Sequence, residues 1–389
     1  MRLNVEDFRR DARRRLPRFV FEYLDGGSGD EGCLRRNSSD FGELNLVPSC
    51  LRDTSKIDLS VEIFGKRWQA PIGIAPIGFA GLMRPKGDEL LARAAAAQGI
   101  PFIQSTASNS RLESVREAAP DGEKWLQLYV MGDRSIAEQI VRRAKKESYS
   151  ALVLTVDVPV GGYRERELRN GFKIPFRPSV PTVIDLLKHP GWMWGLARHG
   201  VPQFVNLSES NDKNGSAQVQ ATLLAKAMDR ALAWESLEWL RNIWQGPLLL
   251  KGVLSGSDAE RAVKQGVDGI IVSNHGGRQL DSAPSTIAAL PEIADRVGRH
   301  VPVFLDSGIR RGSDIAKALA MGAKAVLIGR PAIYGMVCGG EDGITTVLRF
   351  LIDDLTRNMT LLGVTRLSEL DSGYIRPAMA AQNWRPINV

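Results

Sequence analysis

The side chains best suited to chemistry lie in one stretch, Ile270–Asp281, which reads Ile-Ile-Val-Ser-Asn-His-Gly-Gly-Arg-Gln-Leu-Asp. The apolar run Gly269–Val272 has the length and composition of a buried strand. It ends abruptly in polar residues, and Ser273, His275 and Arg278 follow within six positions, separated by Gly276 and Gly277. A histidine can accept a proton near neutral pH. An arginine can hold a carboxylate through two parallel hydrogen bonds. Paired glycines let a flat ligand approach the backbone closely. A polar loop that merely contains a histidine would have the same composition, so the elements around the stretch decide between the two readings.

At 389 residues the chain could hold two or three domains, or one α/β barrel with additions. A hydrophobic content of 43% with 24% charged residues is that of a soluble globular protein. Fifty-one basic against 44 acidic residues leave a net charge of +7. Much of the excess sits at Arg9, Arg10, Arg13, Arg14, Arg15 and Arg18. Val5, Phe8, Ala12, Leu16 and Phe19 thread through that run at helical spacing, which favours a solvated helix face over a nucleic-acid arm. Cys33, Cys50 and Cys338 are too scattered for a metal site or a disulfide framework, which points to a reducing compartment and no metal. The start has no apolar h-region, so no secretory signal is expected, and no apolar run is long enough to span a membrane. Only His189, His199, His275 and His300 are available as histidine bases.

Residues 4–27 read as two short helices broken at Pro17. Gly27, Gly29 and Gly32 spell a dinucleotide-type glycine string, but a helical pattern precedes it and Asp30 and Glu31 would repel a pyrophosphate. Residues 33–70 read as an irregular or β-rich cover, with turns at Pro48, Asp53 and Gly65. From residue 70 apolar runs alternate with helical stretches. There are eight runs: Pro71–Ile77, Pro101–Ile103, Trp125–Val130, Ala151–Val156, Leu248–Leu250, Gly269–Val272, Val303–Leu305 and Ala325–Ile328. Helices are expected over Gly87–Gln98, Asp133–Glu147, Ser257–Gln265 and Ser313–Met321. This rhythm predicts an α/β fold, a closed (β/α)8 TIM barrel with an N-terminal helical cap and a long insertion after strand four. The expected organisation is a single domain over 1–389: cap 1–69, barrel 70–340 with the insertion at about 165–230, and a C-terminal helix and tail at 341–389.

Nearly every run ends in a polar or glycine residue. In order these are Pro76-Ile77-Gly78, Gln104-Ser105, Gln127 and Tyr129, Thr155 and Asp157, Lys251, Ser273 and His275, Asp306 and Ser307, and Gly329 and Arg330. The carboxyl ends of the strands are where barrel active sites form. Asp306-Ser307-Gly308-Ile309-Arg310 and Gly329-Arg330, entering helices after strands seven and eight, have the character of a barrel phosphate site. Ser105, Gln127, Thr155 and Ser273 can hydrogen-bond a planar polar ring, with the charge of Lys251 beneath it. Flavin mononucleotide fits this inventory. Pyridoxal phosphate, with Lys251 as its Schiff base, explains the polar residues of the other strands less well.

About ninety residues separate the fourth and fifth runs, far more than one helix needs. Gly162–Asn170 is charged and close to the barrel mouth. Lys173–Val205 carries Val183, Ile184, Leu186, Leu187, Trp192, Met193, Trp194, Leu196 and Phe204 with Lys173, Arg177, Lys188 and Arg198, and one acid, Asp185. That mixture suits the surface of an anionic membrane; a lid or a subunit contact is the other reading of the same segment. Residues 207–220 are polar and expected to be mobile.

The string Ser273–Asp281 resembles the signature of the FMN-dependent 2-hydroxy acid oxidase and dehydrogenase family. Tyr23 before Asp25-Gly26-Gly27, Gln127-Leu128-Tyr129, Thr155-Val156-Asp157, Lys251-Gly252 and Asp306–Arg310 match it too, and the likeness spans essentially the whole chain. The resemblance implies FMN as cofactor. Its ring would lie against Pro76, Ile77, Gly78, Ser105, Gln127, Thr155, Lys251 and Ser273, and its phosphate against Asp306, Ser307, Gly308, Arg310, Gly329 and Arg330, with Asp306 on the ribityl hydroxyls. It further implies a substrate carboxylate gripped by Tyr23, Arg164 and Arg278, with His275 as base, Asp157 orienting it and Tyr129 on the substrate hydroxyl. Gly162–Arg166, Ser105–Asn109 and the basic, Trp-containing insertion lean toward the mandelate-oxidising members. Gly78, where oxidases tend to carry alanine, leans toward a quinone-linked dehydrogenase, whereas Trp234–Arg241 resembles the lactate-oxidising members. The implied activity is oxidation of an (S)-2-hydroxy acid, (S)-mandelate or a similar aromatic one, to the 2-keto acid, with electrons passing to a membrane quinone. The alternatives are L-lactate as substrate, or a soluble oxidase that reduces oxygen to peroxide. A homotetramer at the inner, cytoplasmic face of the cell membrane, with membrane contact through residues 173–205, completes the expectation.

Overall fold

The computed structural model describes residues 1–170, 179–207 and 228–378. Three short strands precede the barrel: β1 (Leu44–Leu46), β2 (Val61–Ile63) and β3 (Lys66–Trp68). The barrel strands are β4 (Ile72–Ile74), β5 (Phe102–Ser105), β6 (Lys124–Leu128), β7 (Ala151–Thr155), β8 (Leu248–Val253), β9 (Gly269–Val272), β10 (Val303–Asp306) and β11 (Ala325–Ile328). They form a closed barrel in chain order, with β11 pairing back onto β4 in parallel. The fold is therefore the (β/α)8 barrel that the alternation of runs predicted.

The strands read as nearly unbroken apolar runs because both of their faces are buried. Ile103, Trp125, Val153, Leu249, Ile271, Phe304 and Leu327 belong to the cluster that fills the barrel. The β2–β3 hairpin closes one end: Trp68 packs on Trp125 at 5.4 Å and on Phe304 at 6.0 Å, and Phe64 packs on Trp125 at 5.9 Å. A second, larger cluster joins the outer strand faces to the helices. Asp133, Ser255 and Ser285 cap the helices Arg134–Lys146, Gly256–Lys264 and Thr286–Val297 by accepting a backbone N–H from the first turn.

Helices Val5–Arg15 and Arg18–Asp25 meet at Pro17 and bury Val5, Phe8, Ala12, Leu16 and Phe19. Arg10, Arg13, Arg14, Arg15 and Arg18 are exposed. Arg9 departs from the predicted solvated face: its Nε and Nη2 reach the buried Asp25 carboxylate at 2.6 and 2.7 Å. A second correction concerns the segment predicted as irregular or β-rich, which contains the helix Gly32–Ser39. Gly, Asn and the two Ser of Gly-Cys-Leu-Arg-Arg-Asn-Ser-Ser are weak helix formers, and no side chain caps its N-terminus. Tertiary contacts hold it: Cys33 N donates to Asp281 at 2.9 Å, and the Asn37 and Asn274 side chains exchange bonds of 2.8 and 2.7 Å.

The helix Arg330–Leu362 follows β11 and breaks at Gly339–Gly340, where Gly340 has φ +63°. After it, strand β12 (Ile375–Pro377) pairs antiparallel with β1. Within the insertion, helices Val180–Leu187 and Pro190–His199 contain no buried residue. They are tethered at one corner, where the Trp192 indole N–H donates to Leu82 O at 2.8 Å and its ring meets Phe19 edge-on at 5.9 Å. Lys173, Arg177 and residues 208–220 of the predicted membrane and polar segments lie outside the described residues. No described helix is long and apolar enough to cross a membrane.

Candidate active site

A cleft of about 790 Å³ opens at the carboxyl ends of the strands. Sixteen of the predicted site residues line it: Tyr23, Pro76, Ile77, Gly78, Ser105, Tyr129, Arg164, Lys251, His275, Arg278, Asp306, Ser307, Gly308, Arg310, Gly329 and Arg330. Gln127, Thr155, Asp157 and Ser273 do not line it directly but sit beside residues that do. Ser105 Oγ donates to Gln127 Oε1 at 3.0 Å, and Thr155 is in register with Lys251.

His275 stands at the turn where β9 ends. Its φ of +59°, with +68° and +72° at Gly276 and Gly277, makes three successive left-handed residues that fold the chain back across the barrel mouth. The Gly277 conformation also admits the helix at Gly32–Ser39, since a Cβ there would lie 2.6 Å from Leu34 N. The imidazole Nδ1 lies 3.0 Å from Asp157 Oδ1 and Nε2 lies 3.3 Å from the Tyr129 hydroxyl. Burial pushes the His275 pKa below its ordinary value, against the opposing pull of Asp157. Burial alone would raise Asp157, but His275 and Lys251 hold it below the ordinary carboxylate range. Near neutral pH the pair is therefore a carboxylate and a neutral imidazole, an arrangement able to act as a base with an orienting group. Burial raises the Tyr129 pKa, so that its phenol keeps its proton.

Arg278 is fixed from several sides. Its Nη1 donates to the carbonyls of Tyr23 at 2.6 Å and Gly26 at 2.9 Å, Nη2 reaches Glu167 Oε1 at 3.0 Å, and the guanidinium lies 4.9 Å from the Tyr23 ring centroid. Arg164 Nη1 lies 3.6 Å from the other Glu167 oxygen, while its Nε is buried without a partner. Two arginines and a tyrosine thus converge beside the histidine, an arrangement suited to one carboxylate.

Lys251 Nζ lies 2.8 Å from Ser273 Oγ and 3.0 Å from Asp306 Oδ2. Burial works against its charge, yet Asp306 and Asp157 hold its pKa above the ordinary lysine value. An ammonium so held is a poor Schiff-base amine and a good fixed charge, which favours the flavin over pyridoxal phosphate. The carboxylate of Asp306 is turned to Lys251 and to the Ser307 hydroxyl, 2.8 Å away. Ser307 and Gly308 have φ +72° and +89°, and a Cβ on Gly308 would lie 1.8 Å from Asn37 O, so only glycine fits. This loop enters the helix Gly312–Ala320, and Gly329 enters Arg330–Leu362, placing two helix N-termini at one end of the cleft. Arg310 lines that end. Arg330 is buried and spends donors on the carbonyls of Leu24, Gly276 and Gly26 at 2.9, 2.9 and 2.8 Å. Burial lowers its pKa to about 10, which keeps it cationic at neutral pH.

Among the described residues, Gln127 Nε2 and Thr155 Oγ1 are buried without a hydrogen-bond partner. Such groups are costly unless a ligand completes them. Gln127 is held through its oxygen, which accepts from Ser105 and from Thr106 N, so its amide N–H groups are the free ones. Orphaned donors at one end and a glycine cradle with arginines and helix N-termini at the other fit a ring-plus-phosphate cofactor such as FMN.

Several functional residues escape sequence reasoning. Glu167 bridges both arginines; its i,i+3 spacing from Arg164 was the available signal. Gly162 is required because a Cβ there would lie 2.2 Å from Arg278 O. Gln279 Nε2 ties the loop after β7 to the histidine loop through the carbonyls of Asp157 and Val160 at 2.9 and 2.8 Å. The glycine string at 27–32 is a docking seam: Ser28 N donates to Gly277 O at 2.9 Å and Gly29 N to Tyr163 O at 2.8 Å. Phe204, Met228 and Arg230 of the insertion line the cleft, with Phe204 packed on Phe79 at 4.3 Å, and no local pattern could have placed them there.

The fold and cleft are those of a barrel fitted to hold a ring-plus-phosphate cofactor, and the family comparison supplies the class. Residues 12–377 match the FMN-dependent dehydrogenase family. The chain belongs to that family, and FMN is its cofactor. It is 45% identical to the (S)-mandelate dehydrogenase of Pseudomonas putida over 373 residues, covering 96% of this chain and 93% of that one. It is 39% identical to the L-lactate dehydrogenase of Chromohalobacter salexigens over 376 residues, covering 96% and 95%. Among solved structures it is similar to the monotopic membrane protein (S)-mandelate dehydrogenase, with a TM-score of 0.92, 44% identity, and coverage of 97% of this chain and 100% of that one.

Proposed function

We propose that this protein oxidises an aromatic (S)-2-hydroxy acid, (S)-mandelate or a close analogue, to its 2-keto acid and passes the electrons to a membrane quinone. The observation that carries the reading is the convergence of Arg164, Arg278 and Tyr23 beside the His275–Asp157 pair and the Tyr129 hydroxyl, in one cleft. Bound FMN supplies the two-electron acceptor. The side chains do the rest. Arg278, held by Tyr23 O, Gly26 O and Glu167, and Arg164 fix the substrate carboxylate. That leaves the 2-hydroxyl to meet Tyr129 and His275 Nε2. His275 takes a proton, and Asp157 stabilises the imidazolium that results. Lys251 places a positive charge at the end of β8 that offsets charge gained by the reduced ring. The net change is loss of two protons and two electrons from the substrate. Apolar cleft walls, including Phe79, Val158, Leu168, Phe204 and Met228, support an aromatic side chain.

The same reading places the protein at the inner face of the cell membrane, held by the exposed Val180, Val183, Ile184, Leu187, Met193 and Trp194. Its likeness to a monotopic membrane protein supports this. A homotetramer is part of the reading, and a monomeric mass in light scattering of the detergent-extracted protein would remove it. The deciding experiment is an anaerobic visible spectrum of the purified protein before and after (S)-mandelate or L-lactate. Rapid bleaching by mandelate alone is expected. Bleaching by lactate alone keeps the chemistry and moves the substrate to the lactate alternative. Stoichiometric peroxide under air would favour the oxidase.

A further inference from the structure

We infer that Glu167 sets the net charge of the carboxylate site and makes it selective for 2-hydroxy acids with one carboxylate over those with two. The inference rests on the proposed carboxylate role of Arg164 and Arg278. Glu167 is buried, at 8% exposure, on the short helix Glu165–Arg169. One of its oxygens lies 3.0 Å from Arg278 Nη2 and the other 3.6 Å from Arg164 Nη1, so it touches both cations and lines the same cleft. Burial raises the Tyr23 pKa, so that residue contributes no charge at neutral pH. Arg164, Arg278 and Glu167 together carry one net positive charge, which a monocarboxylate neutralises.

A second carboxylate on the same substrate carbon would find no cation beside it with donors to spare. Lys251 is already paired with Asp306. Arg330, whose Nη2 shares the Gly26 carbonyl with Arg278, has its Nε, Nη1 and Nη2 on the carbonyls of Leu24, Gly276 and Gly26. Beyond His275 stands the Asp157 carboxylate. Arg230 also lines the cleft, but it is exposed, and solvent screens its charge. Burying an unpaired charge is costly. Glu167 therefore acts through the arginines as a positioning residue, one that holds their forks and subtracts one charge from their sum.

The test uses the full-length FMN-loaded protein and two matched, unreactive probes. Phenylacetate carries one carboxylate and phenylmalonate carries two on one carbon. Their affinities are read from perturbation of the flavin absorbance, with no turnover required. Wild-type protein should prefer phenylacetate. In Glu167→Gln the ratio of affinities should move toward phenylmalonate by roughly tenfold, equivalent to about 1.4 kcal/mol. Glu167→Asp, which keeps the charge, should retain the wild-type ratio. Arg164→Met, which removes a positive charge, should move the ratio the other way and carries the test if Glu167→Gln fails to fold. Equal changes in both affinities in the Gln variant would mean that Glu167 only braces the arginines, and would overturn the proposal. A wild-type protein that binds neither probe overturns the carboxylate assignment beneath it as well.

Discussion

The loop Ser273–Asp281 and the insertion helices Val180–Leu187 and Pro190–His199 lie on the same molecule, and they are held in different ways. In the loop, Ser273, Asn274, His275, Arg278, Gln279 and Asp281 each hydrogen-bond a distant part of the chain. In the insertion helices no residue is buried, and Leu187 and Trp194 are 74% and 70% exposed. The loop buries polar groups and satisfies them, whereas the insertion helices expose apolar groups that none of the described residues buries. The first pattern pre-organises chemistry. The second is an exposed apolar surface of the kind that marks interaction sites. The two regions should therefore fail differently when altered.

The largest effect is expected at the base. His275→Asn should keep the bound flavin and its yellow colour while lowering kcat by roughly 10⁴-fold. Stopped-flow flavin reduction measures it, and a loss of less than about tenfold would remove His275 as the base. A smaller effect and a pH signature are expected at its partner. His275 must be unprotonated to act, and burial holds its pKa below the ordinary imidazole value. The kcat/KM of the wild type should thus rise with pH along a limb on the acid side of the ordinary imidazole range and then level off. Asp157 pulls that pKa upward, so Asp157→Asn should move the limb to still lower pH. The plateau should fall by roughly 10²-fold as the imidazolium loses its partner. A limb that moves to higher pH would contradict the assignment. The smallest catalytic effect is expected from the insertion. Deleting residues 180–200 should release the protein from membranes to the soluble fraction, with kcat within a few-fold of wild type. The deletion spares Phe204 in the cleft wall. A full-length protein already soluble at low salt would remove the membrane reading. A deletion that abolishes flavin reduction would recast the segment as a lid.

The barrel was legible in the sequence because both faces of a parallel sheet must be apolar, so its strands stand out as runs between helices. The candidate site was legible for a related reason. Barrel strands deliver their last residues to a common mouth, so Ser105, Gln127, Thr155, Lys251 and Ser273 group together from the sequence alone. The helix Gly32–Ser39 was not legible, because its cause lies outside it, in Asp281 and Asn274. Nor was the seam at Gly27–Gly29, where glycine serves close approach to the Gly277 and Tyr163 carbonyls and not a nucleotide.

By itself the sequence determined the fold, the family resemblance and the chemical types gathered at the barrel mouth, since periodicity and strand ends are local properties. Only the tertiary structure decided how those types are paired. It turned Asp306 to Lys251, set Glu167 between two arginines, spent part of Arg330 on three carbonyls and brought Phe204 from the insertion into the cleft. These are contacts between residues far apart in the chain. Their partners are fixed by burial, which requires every enclosed charge and donor to find a counterpart, and burial exists only once the chain has closed on itself.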